Sequence, residues 1–446
     1  MYDLIVIGAG PGGYEAAAHA AKLGAKVVIV EKDSIGGTCL NVGCIPTKTF
    51  LRSSKLFAEC RQGAAFGVDI TGLNFNLAAV VKRKDEIVGT LTRGVGSLLK
   101  RSGVEVVRGS ARLTSKSTVQ VGELTLTGRN ILIATGARAV TPPIPGIDSS
   151  CVVDSTGVLS MTTLPKTVAV IGGGYIGLEF ASFFAAAGTE VSVLEMLPQI
   201  ATGSDHDISS RLQQSLKKAG IVFKTSCAVR SIDGNSVHFE QAGAPGSLSA
   251  ECIVNATGRA PVVEGLGLSE LGVDFDRKGV RTSDRGKTNV PGIWACGDVT
   301  GRRLLAHAAT REGLVAVNNM FGKPDRMRYE AIPSVIYTHP EVASVGKTEN
   351  ELKASGTEYK KALLPMGVAG RFLVENIGTA GIIKVLVGAR YGEILGVHAL
   401  GDLSSEFIVA AAAMMEMEMT VADVEAVIFP HPTVSEALKL AILEAA

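Results

Sequence analysis

The chain has little of what holds a small secreted protein together. Its 446 residues include only 7 cysteines. That odd, low count argues against a framework of structural disulfides. It also lacks an excess of charge of either sign. The net charge of +1 provides no basic footprint for nucleic acid or an anionic membrane surface. The longest purely apolar run near the C-terminus, Phe407 to Met415, is too short to cross a bilayer. No targeting segment is expected before the first strand, which begins at about Asp3. With 46% hydrophobic and 20% charged residues, the composition excludes a disordered chain. The expectation is a cytoplasmic or organelle-matrix enzyme with no nucleic-acid or membrane partner. At this length it should have more than one core.

What is present centres on Gly36-Gly37-Thr38-Cys39-Leu40-Asn41-Val42-Gly43-Cys44-Ile45-Pro46-Thr47-Lys48. A disulfide needs its two Cα atoms within about 7 Å. Five residues of regular helix rise roughly 7.5 Å, so joining Cys39 to Cys44 calls for a distorted turn. Gly37 and Gly43 supply the backbone freedom. Pro46 suits the first turn of a helix, which puts Cys44 at a helix start, where the dipole favours a thiolate. Spacing alone leaves three readings open: a redox pair, half a zinc site, or two unrelated core cysteines. No second cysteine pair or nearby histidine completes the zinc site.

A nucleotide-binding unit surrounds this stretch. Residues 3–7 read as a buried strand. Gly8-x-Gly10-x-x-Gly13 follows, then an alanine-rich helix to about Leu23. A second strand over Val27–Val30 ends in Glu31. Such glycines let the backbone approach a pyrophosphate at the helix start, and the acid accepts from ribose hydroxyls. Residues 72–102 read as a charged helix. Val104–Arg112 and Thr118–Thr127 read as strands of a small antiparallel sheet, and Ile131–Gly136 as a strand ending in a tight turn. Prolines 142, 143 and 145 mark a boundary.

A second copy then begins: strand Thr167–Ile171, Gly172-x-Gly174-x-x-Gly177, helix Tyr175–Ala187, strand Val191–Leu194 and Glu195. Asn255-Ala-Thr-Gly258 echoes the earlier Ala-Thr-Gly136. From Gly8 to Thr135 the first copy spans 127 residues, and from Gly172 to Thr257 the second spans 85. The surplus matches an insertion of the cysteine stretch and its helix. Two copies imply two nucleotides. Glu195 would repel a 2′-phosphate, and no arginine occurs between it and Arg211, so NAD is favoured over NADP. Leu304–Asn319 reads as a helix. From about residue 329 the chain changes character, with alternating strands and helices. Near its end stands His431-Pro-Thr-Val-Ser-Glu436, a base and an acid suited to thiol chemistry, although spacing cannot show that they touch.

The cysteine stretch, both fingerprints, Val290-Pro-Gly-Ile-Trp-Ala-Cys-Gly-Asp298, Ile332–Gly346 and His431–Glu436 together resemble the pyridine nucleotide–disulfide oxidoreductases. The wording of the cysteine stretch is most similar to the branch that oxidises dihydrolipoyl groups. The resemblance implies an α/β fold with two Rossmann-like dinucleotide-binding domains, for FAD and NAD, and a C-terminal α+β dimerisation domain. The expected division is 1–145 for FAD with the redox disulfide, 146–264 for NAD, 265–328 returning to the FAD part, and 329–446 for the interface. It implies a redox disulfide between Cys39 and Cys44, with Cys39 as the interchange sulfur and Cys44 facing the flavin. Lys48 would pair with Glu179 beside the flavin. A His431–Glu436 dyad would reach the disulfide of the other subunit of a homodimer, and the His431–Pro432 bond is expected to be cis. FAD would be held by Gly8, Gly10, Gly13, Glu31, Thr38, Lys48, Thr135, Gly136 and Asp298, and NAD by Gly172, Gly174, Gly177, Glu195 and Gly258. No metal site is expected. The implied partner is a lipoyl-bearing acyltransferase or an H-protein-type carrier. Other disulfides remain open as substrates, with glutathione-like and mercuric ones disfavoured by Glu195 and by the lack of cysteine after 296. A non-catalytic flavoprotein subunit is the remaining alternative. Cys296 is expected in the core. His339 and Glu341, an attractive acid–base pair on paper, are given a structural role.

Overall fold

The alternation of apolar residues in Tyr2–Ile7 is what builds the first sheet. Leu4 and Val6 face a core of alanines from the helix Pro11–Lys22, whereas Ile5 and Ile7 face Leu113, Val119 and Leu126. A strand covered on both faces in this way suits a parallel sheet. In a computed structural model that describes residues 1–377 and 381–446, Tyr2–Ile7 pairs in parallel with Val27–Glu31 on one side and Leu124–Ile133 on the other. Glu105–Arg108 and Ile293–Ala295 extend the sheet beyond these neighbours. These elements belong to the first of two compact units, formed by Met1–Thr49, Ala79–Val140 and Gly258–Met327.

Three expectations shift here, each because of a glycine. The charged helix spans Leu77–Arg101 instead of starting at 72, since Gly72 is left-handed (φ 78°). Val104–Arg112 is not one antiparallel strand. Glu105–Arg108 joins the parallel sheet, Gly109 turns at φ 145°, and only Ala111–Ser115 pairs antiparallel with Thr118–Val121. Gly122 (φ 56°) then splits Thr118–Thr127, and the strand expected at 131 is the end of the longer Leu124–Ile133.

The second unit comprises Phe50–Ala78, Thr141–Thr257 and Arg328–Ala446. Its parallel sheet runs Val222–Lys224, Glu190–Leu194, Thr167–Ile171, Cys252–Asn255, Val152–Val153. The helix Tyr175–Ala187 covers it with an almost wholly buried surface, and Phe183 meets Phe50 and Phe75 at ring separations of 5.1 and 6.1 Å. The C-terminal part is a five-stranded antiparallel sheet in the order Ser334–Ile336, Val342–Gly346, Ile394–Leu400, Ile382–Gly388, Tyr359–Pro365. The helices Ser404–Glu416 and Glu436–Glu444 pack on it.

The inner strand Ile382–Gly388 is buried throughout, yet it carries Lys384 at 1% exposure. Its Nζ donates to Asp205 at 2.9 Å, to Asp207 at 2.6 Å and to Glu349 at 2.6 Å. Asp205 also accepts the N–H groups of Asp207 and Glu349, which lie in the first turns of the helices His206–Lys218 and Glu349–Ser355. Burial would raise the Glu349 carboxyl, but hydrogen bonds from Lys384, Lys361 and Lys353 drive it well down. Removing one partner of a buried ion cluster leaves the others uncompensated. Lys384→Ala is expected to lower unfolding free energy by about 3–5 kcal/mol in urea titrations at neutral pH. A loss below about 1 kcal/mol, the scale of an exposed ion pair, would contradict this account.

Candidate active site

The two cysteines are brought together by a break between helices. Gly36 and Gly37 are left-handed (φ 97° and 58°) and start the short helix Gly37–Val42, which carries Thr38 and Cys39. The Gly36 N–H donates to Ala9 O at 2.8 Å, and a Cβ on Gly37 would lie 2.7 Å from Gly10 Cα. Gly43 ends this helix with φ −136° and ψ −113°. The redox helix Cys44–Arg61 begins at the next residue, two earlier than Pro46, and the Thr47 N–H and hydroxyl both donate to Gly43 O, at 3.0 and 2.7 Å. Cys39 and Cys44 are half-buried thiols in this structure. The Cys39 thiol is pushed far up, first by its hydrogen bond to Cys44 and then by burial, with the Lys48 cation working against both. The two thiols are thus in hydrogen-bonding contact, with Cys44 at the helix start, where the dipole favours a thiolate.

Both fingerprints form cradles of the same shape. Gly8 is at φ 102°, and a Cβ there would meet Ala134 O at 2.4 Å. Gly172 is at φ 110° and would meet Ala256 O at 2.4 Å. Cβ atoms on Gly13 and Gly177 would strike Gly8 O and Gly172 O at 1.9 and 2.0 Å. The middle glycines, Gly10 and Gly174, face open space, and no side chain caps either helix. Uncapped N–H groups behind a side-chain-free position suit a diphosphate.

The two acids repeat each other as well. Glu31 accepts the Ala9 N–H at 2.7 Å and the Asp33 N–H at 2.7 Å. Glu195 accepts the Gly173 N–H at 2.5 Å and the Leu197 N–H at 2.7 Å. Each carboxylate oxygen keeps a second lone pair for a ribose hydroxyl. Asp298 is a half-buried acid of the first unit whose carboxyl is raised by desolvation against the pull of Arg259. Thr135 donates to Val262 O at 2.7 Å, and Gly136 turns at φ 72°. These residues fit FAD in the first unit and NAD in the second. Gly258, matched to the NAD half by its echo of Gly136, counts with the first unit, where its carbonyl accepts from the Val140 N–H at 3.0 Å.

The second unit holds Glu179, His431 and Glu436. Glu179 is 5% exposed, so it is no ordinary surface acid, and it accepts the Tyr337 N–H at 3.0 Å. His431 Nδ1 lies 2.9 Å from Glu436 Oε1 with its ring exposed, and the His431–Pro432 bond is cis. The other Glu436 oxygen accepts the Thr433 N–H at 2.9 Å. That bond first, and then the one to His431, holds the Glu436 carboxyl down. His339 pairs with Asp402 at 3.2 Å, and Asp402 with Lys55 at 2.7 Å. Sequence reading missed Asp402 because its partners are remote in the chain. It also missed Glu312, a buried acid of the helix Ala306–Met320, for which a charge in an alanine- and valine-rich stretch was the available signal.

A thiol pair at a helix start, in a chain that carries two dinucleotide cradles, defines a thiol–disulfide oxidoreductase served by two nucleotides. Comparison with known families agrees. The model described as pyridine nucleotide-disulphide oxidoreductase matches residues 2–313, and that of its dimerisation domain matches residues 332–442. The chain belongs to this family and is an oxidoreductase using FAD and NAD. Among curated relatives it is 40% identical to dihydrolipoyl dehydrogenase 3 of Pseudomonas putida over 99% of this chain and 97% of that one. It is 39% identical to the mitochondrial dihydrolipoyl dehydrogenase of Schizosaccharomyces pombe over 100% and 90%. Among solved structures, the Cu(II) complex of the HOCl-induced flavoprotein disulfide reductase RclA from Escherichia coli superimposes with a TM-score of 0.88 at 29% identity, over 100% of this chain and 99% of that one. Among the described residues no helix is long and apolar enough to cross a membrane.

The Asp402 cluster makes a pH prediction. Burial alone would raise this carboxyl, but the hydrogen bond from His339 and the Lys55 charge bring it down to about 2. An unfolded aspartate titrates near about 3.9. The cluster is thus worth about 2–3 kcal/mol above that value, and the contribution is lost as pH falls through 2. Asp402→Asn is expected to be less stable than wild type by this amount at pH 7, with the gap closing below pH 4 in urea titrations. A gap that stays constant down to pH 2 would rule out the ion cluster as its source.

Proposed function

We propose that the chain oxidises dihydrolipoyl groups with NAD⁺, through a Cys39–Cys44 disulfide and FAD. The observation that carries the reading is the placement of the cysteine pair: the break at Gly43 sets Cys39, near the end of one short helix, in hydrogen-bonding contact with Cys44 at the head of the redox helix. In the oxidised enzyme, His431 takes the proton of the incoming substrate thiol, and the Glu436 carboxylate fixes its tautomer and supports the charge. The thiolate attacks Cys39 Sγ, the Cys39–Cys44 bond breaks, and Cys44 leaves as a thiolate at the helix start. The second substrate thiol then attacks the mixed disulfide, releasing a lipoyl disulfide and leaving the Cys39 thiol. A bound FAD would supply the two-electron acceptor that links the thiol pair to NAD⁺. Lys48 is the cation that favours both the nearby thiolate and a reduced, anionic flavin. Glu179 would be its partner beside the ring. The roles of Gly8, Gly10, Gly13, Glu31, Thr38, Thr135, Gly136 and Asp298 toward FAD, and of Gly172, Gly174, Gly177, Glu195 and Gly258 toward NAD, belong to the same reading, as does the four-part division of the chain.

The chain carries the family's dimerisation domain. A homodimer whose His431–Glu436 dyad serves the partner's disulfide is the arrangement we favour. Its support is the apolar groove lined by Phe407, Val409, Met414, Ile428 and Phe429, with Ile428 at 93% exposure just before the dyad. A second copy would cover it. The macromolecular partner would be a lipoyl-bearing acyltransferase or H-protein-type carrier, and the compartment the cytoplasm, where a reactive thiol pair stays reducible.

The test is anaerobic turnover of dihydrolipoamide with NAD⁺ and, separately, NADP⁺. NADH should form and NADPH should not. Cys44→Ser should retain FAD while losing activity by about a thousandfold or more, and His431→Gln should lose about 10²–10⁴-fold. A flavoprotein that accepts NADH but ignores lipoyl thiols would move the substrate to another disulfide.

A further inference from the structure

Glu312 lies outside every motif discussed so far. It is 3% exposed, and its Oε2 accepts the Gly297 N–H at 2.6 Å. Gly297 is left-handed (φ 77°) and opens the single turn Gly297–Thr300 that carries Asp298. The carbonyl of Gly297 accepts from the Thr300 hydroxyl at 2.9 Å, so both of its peptide groups are tied. The next residue of the helix, Gly313, lies against the first fingerprint, where a Cβ would come 2.5 Å from Gly12 O. A Cβ on Gly12 would in turn meet Ala309 O at 3.0 Å and Cys296 Sγ at 3.1 Å. Burial, and then the Glu312 charge, push the Cys296 thiol up, which places the carboxylate in reach of this contact.

One side chain therefore stands where the diphosphate cradle meets the Asp298 turn. A buried carboxylate is costly, and a neutral acceptor could satisfy one N–H. An ionised acceptor gives a shorter and stronger bond.

We propose that Glu312 is a positioning residue for the flavin cofactor, locking the Asp298 turn at a fixed spacing from the fingerprint helix so that one FAD reaches both. This rests on the reading that Asp298 holds FAD, and the experiment separates the two. Holoenzymes of wild type, Glu312→Ala, Glu312→Asp, Glu312→Gln and Asp298→Asn are compared by the rate of FAD release on dilution, the visible flavin spectrum and the melting temperature. Glu312→Ala is expected to release FAD about tenfold to a hundredfold faster, with a shifted flavin band. Glu312→Asp, one methylene short of Gly297, should follow it and serves alone if the alanine variant does not fold. Glu312→Gln keeps an acceptor in place and should stay within about threefold of wild type. A lowered melting temperature with wild-type release and spectrum in Glu312→Asp would overturn the proposal, as would Glu312→Gln releasing FAD as fast as Glu312→Ala. Wild-type release from Asp298→Asn would instead overturn the role of Asp298. Fast release from Asp298→Asn beside slow release from both Glu312→Ala and Glu312→Asp would overturn that of Glu312 alone.

Discussion

The contact on which the chemistry depends is one of backbone on backbone. Gly37 packs on Gly10 with no room for a Cβ, and the Gly36 N–H is tied to Ala9 O. Gly10 is the position of the first cradle that faces open space. The cysteine turn is therefore built onto the wall of the nucleotide site and not beside it. A side chain at Gly37 would push the turn away from Gly10, and with it the cysteine pair. Neither hydrophobic burial nor ion pairing could set so short a distance, because both act through side chains of some length.

A second constraint is the repetition of the cradle. In both copies an acid at the end of the second strand reaches back to the loop before the fingerprint helix, and each binds one N–H there and one N–H two residues beyond itself. The acids thus have a job before any ribose arrives. They close the loop whose amides would otherwise be orphaned, which the cost of unpaired buried donors requires.

Much of this was legible in the residue order, for physical reasons. The fingerprints were readable because glycine is the only residue that fits at Gly8 and Gly172, and apolar strands flank both. The helix-start position of Cys44 was readable from Pro46 and Gly43, to within two residues. The His431–Glu436 contact was named but not derivable, since it needs a loop to fold back on itself. The roles of Lys384 and Asp402 were invisible because their partners lie far along the chain, and Glu312 showed only as a charge in an apolar stretch, which does not disclose that a backbone N–H will meet it. Strand boundaries failed at Gly109 and Gly122, where a single residue of left-handed backbone decides which sheet a segment joins.

The doubly bound state of Glu195 also bears on how this protein could be re-engineered or could diverge. If Glu195 is what selects the unphosphorylated dinucleotide, as proposed, then nucleotide preference and loop architecture reside in the same carboxylate. Exchanging it for a small or basic residue, to admit a 2′-phosphate, would strand the amides of Gly173 and Leu197 together. A change of coenzyme is therefore not one substitution away. It has to arrive with a new acceptor for the loop, so the preference for the unphosphorylated dinucleotide is protected by the folding of the segment that reads it.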